Sequence, residues 1–173
     1  MPAEGPAGGT PEDTSGFDDF LLLVGRLNYS WSNTESLLIH VLAGLLGTDK
    51  EKAVVLFLTL NTTRARVDLV ERLSKLDGVP ADLRDEVLGL TRRLMQLSPL
   101  RNRYNHSIYA FDPAEGHAKT IMMRIADRKT DIKMGQAQEI DEDARAGIRT
   151  AIEGLQAINR DMWQFIRTRG FPI

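Results

Sequence analysis

The feature that most constrains this chain is a run of core-type residues at helical spacing. Phe17, Phe20, Val24, Leu27, Trp31, Thr34, Leu38, Val41 and Leu45 recur at intervals of three and four. Such spacing lays side chains along one stripe of an α-helix, because a turn takes 3.6 residues. The stripe predicts one helix from Phe17 to Leu46, closed by Gly47, about 45 Å long at the usual rise per residue. A rod of that length buries its stripe against other rods, so the expected architecture is a helical bundle.

Three further stripes follow. Ala53, Leu56, Leu60, Thr63, Val67 and Val70 form a second, opened by Thr48 and Asp49, which suit an N-cap, and fading by Leu76 before Asp77, Gly78 and Pro80. Leu83, Val87, Leu90, Leu94 and Leu97 form a third. At Ser98-Pro99 a fresh cap and first helical position are expected, with a kink and a restart as LRNRYNHS. The helical period stops after Tyr109, and Asp112-Pro113-Ala114-Glu115-Gly116 reads as a turn, with His117 beside it. Ile121, Met123 and Ile125 then alternate with Thr120, Met122, Arg124 and Ala126, and Asp127-Arg128-Lys129 can turn the chain into Thr130 to Met134. The last stripe, Ala144, Ile148, Ala151, Leu155, Ile158, Met162 and Phe165, follows an acidic start at Asp141-Glu142-Asp143 that suits the positive end of a helix dipole. The expected fold is mainly α: an antiparallel four-helix bundle with a small β-hairpin or meander between helices three and four.

At 173 residues the chain suits one domain. Residues 1–16, rich in Pro, Gly, Ala, Glu and Thr without apolar periodicity, read as a flexible tail, and 17–173 as the helical domain. No run has the ~18 uninterrupted apolar residues of a membrane-spanning helix, and the start lacks a basic region followed by an apolar core. With no cysteine in the sequence, disulfides, zinc thiolates and Cys nucleophiles are excluded together, and a cytoplasmic setting is the simplest expectation. His40, His106 and His117 are too dispersed for familiar metal spacings, so neither metal nor cofactor is expected. A net charge of −2 gives no global pull toward nucleic acid, which leaves only a local basic patch for such contacts.

Polar groups interrupt the stripes. Asn28 and Glu35 lie seven residues apart beside the first stripe, helix two breaks its pattern at Asn61-Thr62-Thr63-Arg64, and Arg101 continues the spacing of helix three from Leu97. A buried charge without a partner costs several kcal/mol, so these groups must meet each other, solvent or a ligand. Two arrangements satisfy that demand: a structural salt bridge of Glu35 with Arg64 or Arg101, or a polar pocket at a bundle end or on a two-fold interface.

Arg101-Asn102-Arg103-Tyr104-Asn105-His106 supplies a permanent cation, amides, a phenol and an imidazole within six residues. These are tools for phosphodiester cleavage without metal: a guanidinium grips phosphate oxygens bidentately, and an imidazole exchanges protons near neutrality. Arg92 and Arg93 add to a local basic cluster. Arg101 and His106 sit about 140° apart around an ideal helix, so convergence requires a kink near Pro99 or a second copy of the chain. Leu21, Leu22, Leu23 and Val24 in succession give helix one apolar surface on more than one side, which suits a partner helix.

The RNRYNH stretch, Arg101 to His106, resembles the mark of the HEPN (higher eukaryotes and prokaryotes nucleotide-binding) superfamily: an Arg, often followed by Asn or another polar residue, with a His four to six residues farther on. Long helices before the motif and a hairpin with a last long helix after it are similar to that family's layout. The resemblance implies a homodimer whose two motifs form one cleft. It also implies a metal-independent endoribonuclease in the active branches, with Arg101 and His106 catalytic. On the residues' own chemistry, Asn102 is expected to orient phosphate or imidazole, and Glu35, Arg64 and Asn105 to form a supporting polar network. RNA and a cognate antitoxin protein are the partners the resemblance implies, in toxin or defence systems. The competing expectation is a non-catalytic helical dimer that binds a nucleotide or a protein through the same polar cleft.

Overall fold

The computed structural model describes residues 15–112, 117–127, 130 and 132–173. Of the tail expected over residues 1–16, residues 1–14 lie outside them, and the first helix begins at Ser15, two residues before the expected boundary at Phe17. The elements are α1 (Ser15–Ser36), α2 (Leu38–Leu46), α3 (Lys50–Thr59), α4 (Thr63–Ser74), α5 (Ala81–Asn105), β1 (Ser107–Asp112), β2 (His117–Asp127), β3 (Ile132–Glu139) and α6 (Glu142–Thr168). The protein is mainly helical with a small antiparallel sheet before the last helix. No helix among the described residues is long and apolar enough to cross a membrane.

The first expected helix is divided. At Leu37 the hydrogen bonding tightens to Leu37 N–H onto Thr34 O, 3.2 Å, and His40 N–H onto Leu37 O, 3.1 Å, which separates α1 from α2 without removing Leu37 from the core. The expected stop at Gly47 is present: its φ of +59° is the left-handed conformation that glycine adopts without a Cβ clash, and Thr48 N–H reaches back to Ala43 O. The second expected helix is also two. Asp49 caps α3 by accepting from Lys52 N–H at 2.8 Å, then Leu60 turns extended and Thr62 caps α4 by accepting from Ala65 N–H at 3.1 Å. That second cap resets the helical register, with consequences for the buried arginine described below.

Ser98-Pro99 does not restart the third helix, since α5 runs unbroken through Pro99. Proline there removes one backbone donor, and packing compensates: Leu97 lies over Gly154 of α6 so closely that a Cβ on that glycine would sit 3.3 Å from its Cδ1. The helix ends at Asn105, earlier than Tyr109, because Ser107 to Asp112 form β1. Strand order is β1-β2-β3, a meander with Ser107 opposite Met122, Asp112 opposite His117 and Lys119 opposite Glu139. His117 therefore opens a strand. The tips expected at Pro113 to Gly116 and at Arg128-Lys129 lie outside the described residues. Tyr109 packs on Phe20 and Phe111 on Phe17, with ring centroids 5.9 and 5.8 Å apart, so one face of the sheet lies against α1.

Helix directions depart from a simple up-and-down bundle. Arg169 pairs with Glu86 while Gly147 lies by Leu100, so α5 and α6 are antiparallel. Arg145 meets Gly16, and Asn159 meets Thr34, so α1 and α6, the first and last rods, run parallel. Trp31, Phe20, Leu38, Leu94, Leu155 and Ile166 are among the fully buried side chains between these helices.

Candidate functional site

Glu35 forms its ion pair with Arg66, at 2.8 Å, and not with Arg64 or Arg101. The register explains this: from the Thr62 cap, Arg66 and Val70 share the inward side of α4, whereas Arg64 faces out and pairs with Asp68 at 2.9 Å. Arg66 also donates through Nε to the carbonyls of Phe57 and Leu60, and its guanidinium lies 4.0 Å from the centroid of the Phe57 ring. One cation thereby closes the break between α3 and α4 and ties it to α1. On its other oxygen Glu35 accepts from the indole Nε1 of Trp31 at 3.0 Å. Asn28 donates to Val24 O at 3.2 Å, and its Oδ1 is buried without a hydrogen-bond partner.

Arg101 reaches this network through Trp31. Its guanidinium carbon lies 5.5 Å from the Trp31 ring centroid, a cation–π contact. Its Nη1 donates to Asn102 Oδ1 at 3.1 Å, and its Nε is buried with no partner. Asn102 in turn donates to Ser98 Oγ at 3.2 Å, so the serine expected to cap a helix instead holds the asparagine of the motif. The structure brings Arg101 and Asn102 together, half-buried and exposed respectively.

His106 stands where α5 ends, with φ −116° and ψ 19°, and its ring is exposed. Backbone bonds fix its place: its N–H donates to Asn102 O and its carbonyl accepts from Met123 N–H of β2, both at 3.1 Å. Among the described residues no hydrogen bond joins His106 to Arg101, and Asn105 is exposed outside the network. Between them Tyr104 is buried, its carbonyl accepting the Tyr109 hydroxyl, and burial pushes both phenols above their ordinary pKa. The motif thus rests on a packed floor, with Asn102, Asn105 and His106 exposed and Arg101 laid half-buried on Trp31.

The wider basic cluster is dispersed. Arg93 pairs with Asp161 of α6 at 2.7 Å, while Arg92 lines a depression with Arg64 and Lys75 on the α4 side. Neighbouring helical residues point about 100° apart, so sequence adjacency did not put them on one surface. His40 is packed, its Nδ1 2.7 Å from Pro172 O and its ring against Trp163. No group of three or more His, Asp or Glu among the described residues could hold a metal ion.

Trp31 and Arg66 were missed from sequence. The Trp31 and Glu35 pair was visible as an i, i+4 contact, but Arg66 was hidden by the register change at Thr62. Compared with known protein families, with curated proteins and with solved structures, the chain finds no match.

Proposed function

We propose that this protein is a HEPN-like dimeric endoribonuclease of the toxin or defence type, cutting RNA without metal through Arg101, Asn102 and His106. The observation that carries the reading is the end of α5. There Arg101 is laid on Trp31 and bonded to Asn102, and the exposed ring of His106 follows at the helix terminus. His106 takes the proton of a ribose 2′-hydroxyl or gives one to the leaving 5′-oxygen, and Arg101 steadies the charge growing on the phosphoryl oxygens. The product is a 2′,3′-cyclic phosphate. Because the two side chains stand apart on one helix, a two-fold axis bringing a second motif opposite completes the cleft, and the exposed Leu21 and Leu22 of α1 supply apolar surface for that partner copy. A cytoplasmic site of action and a cognate antitoxin protein accompany this reading.

RNA incubated in EDTA with purified wild type and with His106→Ala tests it: cleavage by the first and not the second is expected. Undiminished cleavage by His106→Ala overturns the mechanism, and a monomeric mass at micromolar concentration overturns the dimer. A second reading is a non-catalytic dimer that binds a nucleotide or protein partner through the same cleft. It is favoured by the half-buried placement of Arg101 on the Trp31 ring, which makes that arginine part of the core network whether or not chemistry occurs.

A further inference from the structure

Away from the α5 terminus, an open groove between the parallel helices α1 and α6 continues onto the surface of α6. Its first part, about 260 Å³, is bordered by Tyr29, Ser30 and Asn33 of α1 and by Gln156, Asn159 and Arg160 of α6. Its second part, about 460 Å³, shares Asn159 and Arg160 and continues along α6 to Trp163 and Arg167. No aliphatic side chain and no carboxylate lines either part.

Among the lining residues the only charged side chains are Arg160 and Arg167. Arg160 and Arg167 are exposed and form no ion pair among the described residues, and neither does Arg26, one turn before Tyr29 and Ser30 on α1. Of the carboxylates on the flanking segments, Glu35 is buried against Arg66 and Asp161 is held by Arg93 on another face of α6, while Glu153 is exposed on α6 one turn before Gln156 and outside the lining. Cations without an ion pair on a chain of net charge −2 mark a local site for anions, and the Arg167 guanidinium lies over the Trp163 ring, 5.5 Å from its centroid. Seven residues separate Arg160 from Arg167 on one face of α6, about 10 Å along the axis, so the two guanidinium groups can reach different phosphates of one strand.

The remaining lining tells which anion. Tyr29 is 70% exposed, so its ring offers a free stacking face. Amide side chains match the donor and acceptor edges of unpaired bases, and aromatic faces with guanidinium groups take bases by stacking. A protein partner calls for a packed apolar centre, and this lining holds no aliphatic side chain, only the exposed Tyr29 ring and the half-buried Trp163. We infer that the groove between α1 and α6 is a binding track for single-stranded RNA, with Arg160 and Arg167 on phosphates, Tyr29 stacked on a base and the amides on base edges. It is separate from the α5 terminus and stands whether or not that terminus cuts RNA.

The test is fluorescence anisotropy in EDTA with a labelled single-stranded RNA of about ten nucleotides, using the full chain carrying His106→Ala so that the probe stays intact. Arg160→Gln combined with Arg167→Gln should weaken binding at least tenfold and flatten the dependence of log affinity on log salt by about 1.4, the value for two phosphates on a single strand. Tyr29→Ala should weaken it about tenfold through lost stacking, with little change in the salt slope. All three residues are on the surface, so circular dichroism should be unchanged. No binding of the probe, binding unaltered by these substitutions, or equal competition by an acidic polypeptide or a mononucleotide overturns the inference. Groove-dependent binding by a wild type that never cuts RNA keeps the track and removes the endoribonuclease reading, while cleavage with groove-independent binding does the reverse.

Discussion

The indole Nε1 of Trp31 donates to Glu35 one turn along the same helix, at 3.0 Å, while the ring face of that indole carries the Arg101 guanidinium. One aromatic residue therefore connects the motif at the end of α5 to the buried ion pair between α1 and α4. The two contacts are coupled, because the carboxylate, by accepting from the indole edge, fixes the orientation of the ring whose face carries the cation.

Removing Glu35 should be costly. Its side chain is 8% exposed and that of Arg66 18%, so Glu35→Ala strands a cation largely out of water, with an expected loss of about 3 to 5 kcal/mol. Arg64→Ala, breaking an exposed pair, should lose well under 1 kcal/mol. Urea unfolding of both variants checks the contrast; equal small losses would show that water already screens the inner pair.

The chain end is held by a glycine. The ring of Phe171 occupies the space where Gly44 would carry a Cβ, while Phe171 N–H bonds Ile166 O at 3.0 Å and Pro172 O meets His40. Gly44→Ala should displace that ring and destabilise the fold by about 1 to 3 kcal/mol. Gly89→Ala in α5, with nothing near its Cβ position, should instead stabilise by about 0.5 to 1 kcal/mol. Thermal or urea unfolding of the pair reads the difference in sign.

What was legible in sequence follows from period. The stripes of Phe20 to Leu38 and Ile148 to Phe165 are core because spacing alone assigns a helical face. The Gly47 stop and the Asp49 cap are local chemistry and were equally readable. Leu37 and Leu60 were opaque, since both are apolar residues in phase with their stripes and only tertiary packing decides that the helix pauses there. The identity of the buried arginine depended on that pause. At the motif, the short run Ile108-Tyr109 fits a helix tail as well as a strand, because two residues do not distinguish the two periods, and so the position of His106 at a helix-to-strand junction was not legible.

Alkaline unfolding should report on the floor beneath the motif. Burial raises the pKa of Tyr104 and Tyr109 in the folded protein, so the native state holds those protons more tightly than the unfolded chain. The sign follows from linkage: their contribution is fully present below the unfolded value near pH 10 and is lost as pH rises toward the folded values. Tyr109→Phe should reduce stability at neutral pH by about 1 kcal/mol through the lost bond to Tyr104 O, and should lessen the alkaline fall. Stability measured against pH, with phenolate absorbance as a second readout, tests both parts; a fall unchanged in Tyr109→Phe would assign it to other groups.

Cleavage and folding roles separate most clearly at Arg101 and His106. His106→Ala removes an exposed ring, so stability should stay within about 0.5 kcal/mol of wild type while RNA cleavage falls about 100- to 10,000-fold through lost proton transfer. Arg101→Ala should lower both, since it takes the cation from the Trp31 face as well as from the phosphate. Arg101→Lys is the discriminating variant: an ammonium can restore part of the contact with Trp31 but cannot reproduce the planar fork that grips two phosphoryl oxygens. Its stability should recover toward wild type while cleavage in EDTA remains impaired. Full recovery of cleavage in Arg101→Lys would show that Arg101 acts as a simple positive charge and not as a bidentate clamp on phosphate.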